Sequence, residues 1–161
     1  MTLDIRKASK EDCEIIADLT SALNISEGMT DYHRPNTEIL RKNFDKVDFY
    51  LAEIDRQPAG FVAGYTHLNP NTGFFRYVIT SLYVDEDFRN KGIAKSLLKH
   101  VIFDKKHRDT TQFAIDVRPS NHAARRLYEN LGFEKGQTSF CNYRLGFEKL
   151  VRFYDNHRAD F

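Results

Sequence analysis

The sequence predicts a single α/β domain in which a mixed sheet is flanked by helices. Strand-like segments alternate with amphipathic helical ones along the chain, and the two later helices each sit between strands, as crossover connections would. No repeat, low-complexity tract or Gly/Ser/Pro linker divides it. A length of 161 residues suits one core of ordinary size and would bury ~70% of the accessible surface on folding. With 41% apolar and 29% charged residues, the composition argues for neither a disordered tail nor a membrane protein. Lys and Arg number 24 against 23 Asp and Glu, which disfavours a protein whose main task is gripping phosphate backbones.

Leu3 to Ala8 reads as a strand, and Ser9-Lys10-Glu11-Asp12 as a capping box in which Ser9 accepts an orphan N–H. The helix it opens carries Ile15, Ile16, Leu19 and Leu23 on one face. Asn24 to Asn36 is polar and irregular, broken by Gly28 and Pro35, and a second short helix follows through Ile39, Leu40 and Phe44. Phe49 to Ile54 and Ala59 to Leu68 flank the turn Asp55-Arg56-Gln57-Pro58 as a hairpin. After a second turn, Asn69 to Gly73, comes the long strand Phe74 to Val84. Ile93, Leu97, Leu98, Val101 and Ile102 recur at helical spacing between Gly92 and Lys106. Phe113 to Val117 reads as a strand, Ser120 to Leu131 as a helix stopped by Gly132, and Phe140 to Leu145 as a last strand. Beyond it, Phe147, Leu150, Val151 and Tyr154 predict an amphipathic helical extension over residues 146–158. It either covers the domain's own sheet or packs on a second copy, and a homodimer contact is the favoured reading.

Cys13 and Cys141 are too few for a disulfide framework or a four-cysteine zinc site. The start of the chain has no apolar leader-like run, and no stretch approaches the ~18 apolar residues of a membrane span. A cytoplasmic protein is therefore expected. His33, His67, His100, His107, His122 and His157 are scattered without metal-ligand spacing, so no metal is expected.

Val84 to Ser96 joins a strand to a helix. The first N–H groups of that helix lack intrahelical partners and sit at the positive end of its dipole. Gly92 and Ala94 are small where a ligand would approach the backbone closely, and Arg89, Lys91 and Lys95 add positive charge. Together they suit a phosphate or pyrophosphate, although an ordinary helix start with solvated lysines has the same composition. A Walker A loop is excluded, because Ala94 and Arg89 stand where it needs glycines, and the Gly-x-Gly-x-x-Gly fingerprint lacks its later glycines.

Arg89-x-x-Gly92-x-Ala94 after a strand resembles the acyl-CoA pyrophosphate loop of the GNAT superfamily of N-acetyltransferases. Asn121-x-x-Ala124-x-x-Leu127-Tyr128-x-x-x-Gly132-Phe133 is similar to that family's second signature, and the element order over residues 3 to 145 also looks like the family's. The resemblance implies a mostly antiparallel twisted sheet flanked by helices, and acetyl-CoA as cosubstrate. It implies that backbone amides of Leu82, Tyr83 and Val84 hold the pantetheine arm and polarise the thioester carbonyl. Arg89, Asn90, Lys91, Gly92, Ile93, Ala94 and Lys95 would surround the pyrophosphate, and Asn121 would bind pantetheine, although it is equally suited to cap its helix. Arg125 and Arg126 could reach the 3′-phosphate. Tyr128 would face the departing sulfur. A phenol near 10 is a weaker acid than a thiol near 8.5, so a strengthening hydrogen bond describes its role better than full proton transfer.

An ammonium must lose a proton before it attacks a thioester. Asp116, in a strand otherwise apolar, is the candidate base, with ordered water as the alternative and Glu53 as a weaker choice. A Glu serves at the matching position in the ribosomal-protein branch of the family, which the stretch Asp116 to Asn121 resembles. Pairing of Asp116 with Arg118 or a lysine is the bland alternative. The resemblance also implies an acceptor pocket walled by the region between the first two helices and by the later strands, which points to Glu27, Asp31, Tyr32 and Tyr143, a mix of carboxylates and aromatic faces suited to a cationic amine. The expected function is acetyl transfer to a primary amine, with a small-molecule acceptor placed first. Protein N-termini or lysines, and a non-catalytic acyl-CoA-sensing domain, are the alternatives. No nucleic-acid or membrane partner is expected.

Overall fold

The computed structural model describes residues 2–29, 33–106 and 110–136. Asp31, Tyr32, Cys141, Tyr143, the strand expected at Phe140 to Leu145 and the helix expected over residues 146–158 lie outside them. In chain order the elements are β1 (Leu3–Lys7), α1 (Cys13–Ser26), α2 (Thr37–Lys42), β2 (Asp48–Ile54), β3 (Gln57–Asn69), β4 (Phe74–Val84), α3 (Ile93–Lys105), β5 (Thr110–Ile115) and α4 (His122–Asn130). Among the described residues, five strands form one sheet in sequence order. β1 to β4 are antiparallel neighbours, while β5 lies parallel to β4. Helix α3 makes the crossover that a parallel pair requires.

Each face of the sheet has its own core, and strand periodicity sorts residues between them. Phe49, Leu51, Phe61, Ala63 and Tyr83 pack with Ile16 and Leu19 of α1. Tyr50, Ala52, Ile54, Val62, Tyr77 and Ile79 pack with Ile93, Leu97, Leu98 and Val101 of α3 and with Tyr128 of α4. Ile79 and Tyr83 fall on opposite faces although four residues apart. The cause is a bulge: Ala63 pairs with Ser81 and Gly64 with Ile79, leaving Thr80 as an extra residue. Downstream of it Leu82 and Val84 face the α3 side.

The hairpin between β2 and β3 turns on two residues, not the four expected. Asp55 and Arg56 both take left-handed backbone (φ 49° and 70°), the conformation whose twist matches paired strands. Gln57 and Pro58 already belong to β3, where Pro58 is accommodated beside the irregularity at Ala52/Glu53. The capping box expected at Ser9 is present. Asp12 accepts the Ser9 N–H and hydroxyl at 2.8 and 3.1 Å, and the Asp12 N–H turns back to the Ser9 carbonyl at 3.1 Å. Gly60 marks a close approach of β3 to β4, since a Cβ there would lie 2.4 Å from the Tyr83 carbonyl oxygen.

Candidate active site

Strand β4 outruns its parallel partner. It pairs with β5 only from Phe75 to Ile79, then continues to Val84 with β3 as its sole strand partner among the described residues. The bulge at Thr80 falls where the two part, so β4 presents an unpaired edge from Thr80 to Val84. Exposed main-chain donors and acceptors of this kind are what an extended amide-bearing ligand can pair with.

The chain leaves β4 through a 3₁₀ turn, Glu86–Phe88, capped by Asp85, whose carboxylate accepts the Asp87 N–H at 3.1 Å. Arg89 folds back onto this turn. Its Nε donates to the Val84 carbonyl at 3.1 Å, and its Nη1 lies 3.2 Å from the Glu86 carboxylate. Lys91 Nζ donates to the Asp87 carbonyl at 3.0 Å. Two of the three sequence-predicted cations thus also brace the loop. Asn90 and Gly92 take left-handed backbone at φ 62° and 76°. A Cβ on Gly92 would meet nothing within 4 Å, so φ rather than crowding favours glycine there. Helix α3 then starts with no side-chain cap. Its leading N–H groups are therefore left without a side-chain cap at the positive end of the helix dipole, with exposed Lys95 beside them. The Ile93 side chain is buried and anchors the helix, leaving only its backbone to the site. Tyr83 likewise sends its ring into the α1-side core, beneath the Arg89 guanidinium, and offers only main chain.

Helix α4 is capped by Asn121: its carboxamide oxygen accepts the Ala124 N–H at 3.1 Å. The Gly132-Phe133 pair of the second signature closes the other end. Gly132 exits in left-handed backbone (φ 89°) and donates to the Glu129 carbonyl, while Phe133 N–H reaches the Tyr128 carbonyl, both at 3.0 Å. This is a Schellman closure, and Phe133 stacks back to 6.0 Å from the Tyr128 ring. Tyr128 sits in the same core as Ile93 and Leu97 of α3, with Leu82 and Val84 of β4 packed against it. The two sequence motifs are therefore brought together. Burial pushes the Tyr128 hydroxyl up to about 12, and the Glu27 charge adds to the rise. It stays protonated, a hydrogen-bond donor, across the whole ordinary pH range.

The two candidate bases fare differently from expectation. Asp116 lies one residue past β5, in the loop to α4, and is exposed. The cost of a carboxylate inside an apolar strand, which singled it out, does not arise. Glu53 is held by Arg6 at 2.9 Å. Arg118 does not turn to Asp116: it reaches Glu27 at the end of α1, donating to the Glu27 carbonyl at 3.0 Å with its other nitrogen 3.7 Å from the carboxylate. Sequence reasoning missed this contact, and no signal pointed to it, since the partners stand 91 residues apart. Close by, a shallow depression of about 390 Å³ is lined by Ala22, Ile25 and Ser26 of α1 with Tyr83, Asp85, Glu86 and Asp87. A larger one, about 490 Å³, lies at the tip of the β3–β4 hairpin among Phe74, Phe75, Arg76, Thr111 and Gln112 and includes no residue of either motif.

The Acetyltransferase (GNAT) family model matches residues 14–133. The chain belongs to the GNAT family. It is 35% identical over 101 residues to N-alpha-acetyltransferase 30 of Xenopus laevis, covering 63% of this chain and 37% of that protein. To the [Ribosomal protein bS18]-alanine N-acetyltransferase of Salmonella typhimurium it is 40% identical over 55 residues, 34% of this chain and 37% of the relative. The chain thus spans less than half the length of these curated relatives. Among solved structures, an aminoglycoside acetyltransferase (meta-AAC0020, from an uncultured soil metagenomic sample, in complex with sisomicin) superposes with a TM-score of 0.77. It shares 17% identity, over 89% of this chain and 97% of that one, and shows the common fold. In this GNAT chain the parted strands, the open α3 terminus and Tyr128 form one continuous region. Among the described residues no three His, Cys, Asp or Glu gather as metal ligands, and no helix is long and apolar enough to cross a membrane.

Proposed function

We propose that this protein transfers the acetyl group of acetyl-CoA to a primary amine, by direct attack in a ternary complex. The observation that carries the reading is the pairing of an uncapped α3 terminus with a buried, protonated Tyr128 in one core at the parted end of β4 and β5. Acetyl-CoA supplies an acetyl thioester activated toward amines. The residues present fit it. The α3 N–H groups with Lys91 and Lys95 suit a pyrophosphate, and the unpaired edge of β4 suits the amides of the pantetheine arm. Asn121, whose carbonyl oxygen caps α4, has its amide N–H left for the same arm.

As the N–C bond forms and the C–S bond breaks, the amine's proton passes to Asp116 or to a water. The electron pair departs on sulfur, facing the Tyr128 O–H. A phenol at about 12 cannot fully protonate a thiolate whose acid is near 8.5, a step roughly 5 kcal/mol uphill. Tyr128 therefore acts by a hydrogen bond that tightens as charge develops. Direct transfer is further supported by Cys13, which is fully buried in the α1 core with its thiol pushed up by burial, and so is no acyl carrier. Its free thiol also suits a reducing, cytoplasmic setting.

Small cationic amines are the first acceptor class, because the carboxylates of Asp85, Glu86 and Asp87 in the β4–α3 turn line the depression beside the site. A protein N-terminus is the second, favoured by the likeness to N-alpha-acetyltransferase 30. Mass spectrometry after incubation with acetyl-CoA and pooled polyamines, amino acids, aminoglycosides and short peptides tests both. One acetyl group should appear on a member of the pool, and Tyr128→Phe should slow that transfer about a hundredfold with acetyl-CoA affinity unchanged. An equal rate for Tyr128→Phe removes the hydroxyl from the chemistry. Binding of acetyl-CoA without acetylation of any pool member replaces the enzyme reading with that of a sensor.

A further inference from the structure

We infer that this protein forms a two-fold symmetric dimer by pairing the open edge of its β3–β4 hairpin with the same edge of a second copy. The hairpin runs past the rest of the sheet. β2 begins at Asp48, which pairs with Gly64, so residues 65–69 of β3 have β4 on one side and, among the described residues, no strand on the other. Successive residues of an antiparallel strand turn their main-chain N–H and C=O to alternate sides. Those of residues 65–69 that turn away from β4 form an open ladder.

Folded proteins blunt such edges with charged side chains, proline or a bulge. β1, at the margin of the sheet, carries Asp4, Arg6 and Lys7. The β3 edge reads Tyr65-Thr66-His67-Leu68-Asn69, without a lysine, arginine, carboxylate or proline, and its register against β4 is unbroken from Gly64 to Asn69. Apolar surface flanks it. Tyr65, Leu68, Phe74 and Phe75 are four of the eight large apolar side chains exposed among the described residues, and all four lie on this hairpin.

The edge also matches itself. Directly opposed residues of an antiparallel pair are both hydrogen-bonded or both not, so a two-fold axis between identical edges passes by a residue, never between two. The turn that starts at Pro70 and the start of β2 confine the overlap to residues 65–69, whose middle is His67. His67 then faces its counterpart, Thr66 of each copy lies opposite Leu68 of the other, and Tyr65 lies opposite Asn69. Thr66 and Leu68 share the face of their β4 partners Tyr77 and Phe75. The two Leu68 side chains therefore become diagonal neighbours, and no like-charged pair is opposed across the junction. The junction sits at the Phe74 end of β4, roughly 30 Å from the Val84 end at about 3.4 Å per residue, so dimerisation leaves the acetyl-CoA site free.

Sedimentation velocity of the full chain from roughly 1 to 100 μM should show a monomer–dimer equilibrium with a micromolar Kd, in keeping with so short an edge. Thr66→Lys/Leu68→Lys opposes like charges at two places and should loosen the dimer about a hundredfold, as should Thr66→Glu/Leu68→Glu. Mixing the two variants should restore a dimer. Unchanged thermal melts and acetyl-CoA affinity check that each variant is folded. Register is read in a Cys141→Ser background, where Cys13 is buried. There His67→Cys should cross-link under copper–phenanthroline oxidation, because opposed Cα atoms about 4.5–5.5 Å apart are within disulfide reach. Tyr65→Cys, opposite Asn69 of the second copy, should not. A chain that stays monomeric at the highest concentration overturns the inference. A dimer indifferent to both charge variants overturns it as well and moves the contact elsewhere, residues 146–158 first. Failure of His67→Cys to cross-link, or equal cross-linking by Tyr65→Cys, overturns the two-fold register.

Discussion

Among single residues, Asp12 shows how a carboxylate at the start of a helix becomes a structural hub. Arg6 donates to both of its oxygens at 2.8 Å and spans on to Glu53 at 2.9 Å, while Ser9 N–H supplies a further bond at 2.8 Å. The guanidinium and these donors hold the Asp12 carboxyl at about 2, against an ordinary 3.8. A folded pKa below the unfolded one means stability that is present above about pH 4 and lost as pH falls toward 2. Asp12→Asn should therefore cost about 2 kcal/mol near pH 7 and flatten the acid limb of the stability profile. Urea unfolding at pH 7, 4 and 2.5 reads both, and an unchanged acid limb would assign the sensitivity to other carboxylates. The Ser-x-x-Asp spacing was visible in the sequence. That Arg6 and Glu53 complete the cluster was not, because antiparallel pairing of β1 with β2 puts residues 47 apart side by side.

For the elements, amphipathic periodicity was enough to find the helices and strands of the described residues, and irregularities within strands were what it missed. Bulges at Ala59 and Thr80 each reverse which residues face which core, so a period-2 reading continued through them misassigns faces. The tight hairpin was misjudged for a related reason. Its two turn residues are Asp and Arg, whereas the expected signal for that turn is a glycine at the second position. Arg56 at φ 70° carries the cost of left-handed backbone on a residue with a Cβ. Arg56→Gly should stabilise the domain by roughly 1 kcal/mol, after allowing for glycine's larger unfolded-state entropy. Denaturant midpoints of the two proteins decide it. A loss of stability would mean that the arginine side chain contributes more than its backbone costs.

At the scale of the molecule, α3 and α4 are anchored in one core and meet where β4 and β5 part. A ligand that binds this arrangement in the folded state only must raise the melting temperature by mass action. Acetyl-CoA at a hundredfold excess over its Kd should add about 2.7 kcal/mol, a rise of about 5–10 °C for a domain of this size. A thermal melt with and without millimolar acetyl-CoA measures it, and no shift would remove the α3 terminus as the cofactor site. The near-neutral charge, +1 overall, leaves the positive character of that terminus local, contributed by a helix end and a few side chains rather than by a basic surface.

Local pattern was sufficient for the element types, the loop ahead of α3 and the helix that carries Tyr128, because helical and strand periodicity, caps and turn residues act within a few positions of one another. Packing settled the rest. It moved Asp116 out of the strand and into solvent, took Glu53 for Arg6, gave Arg118 to Glu27, and let Tyr83 turn its ring away from the site. Those outcomes depend on strand order, register and strand length, and that of Tyr83 also on the bulge at Thr80. No periodicity along the chain encodes such meetings.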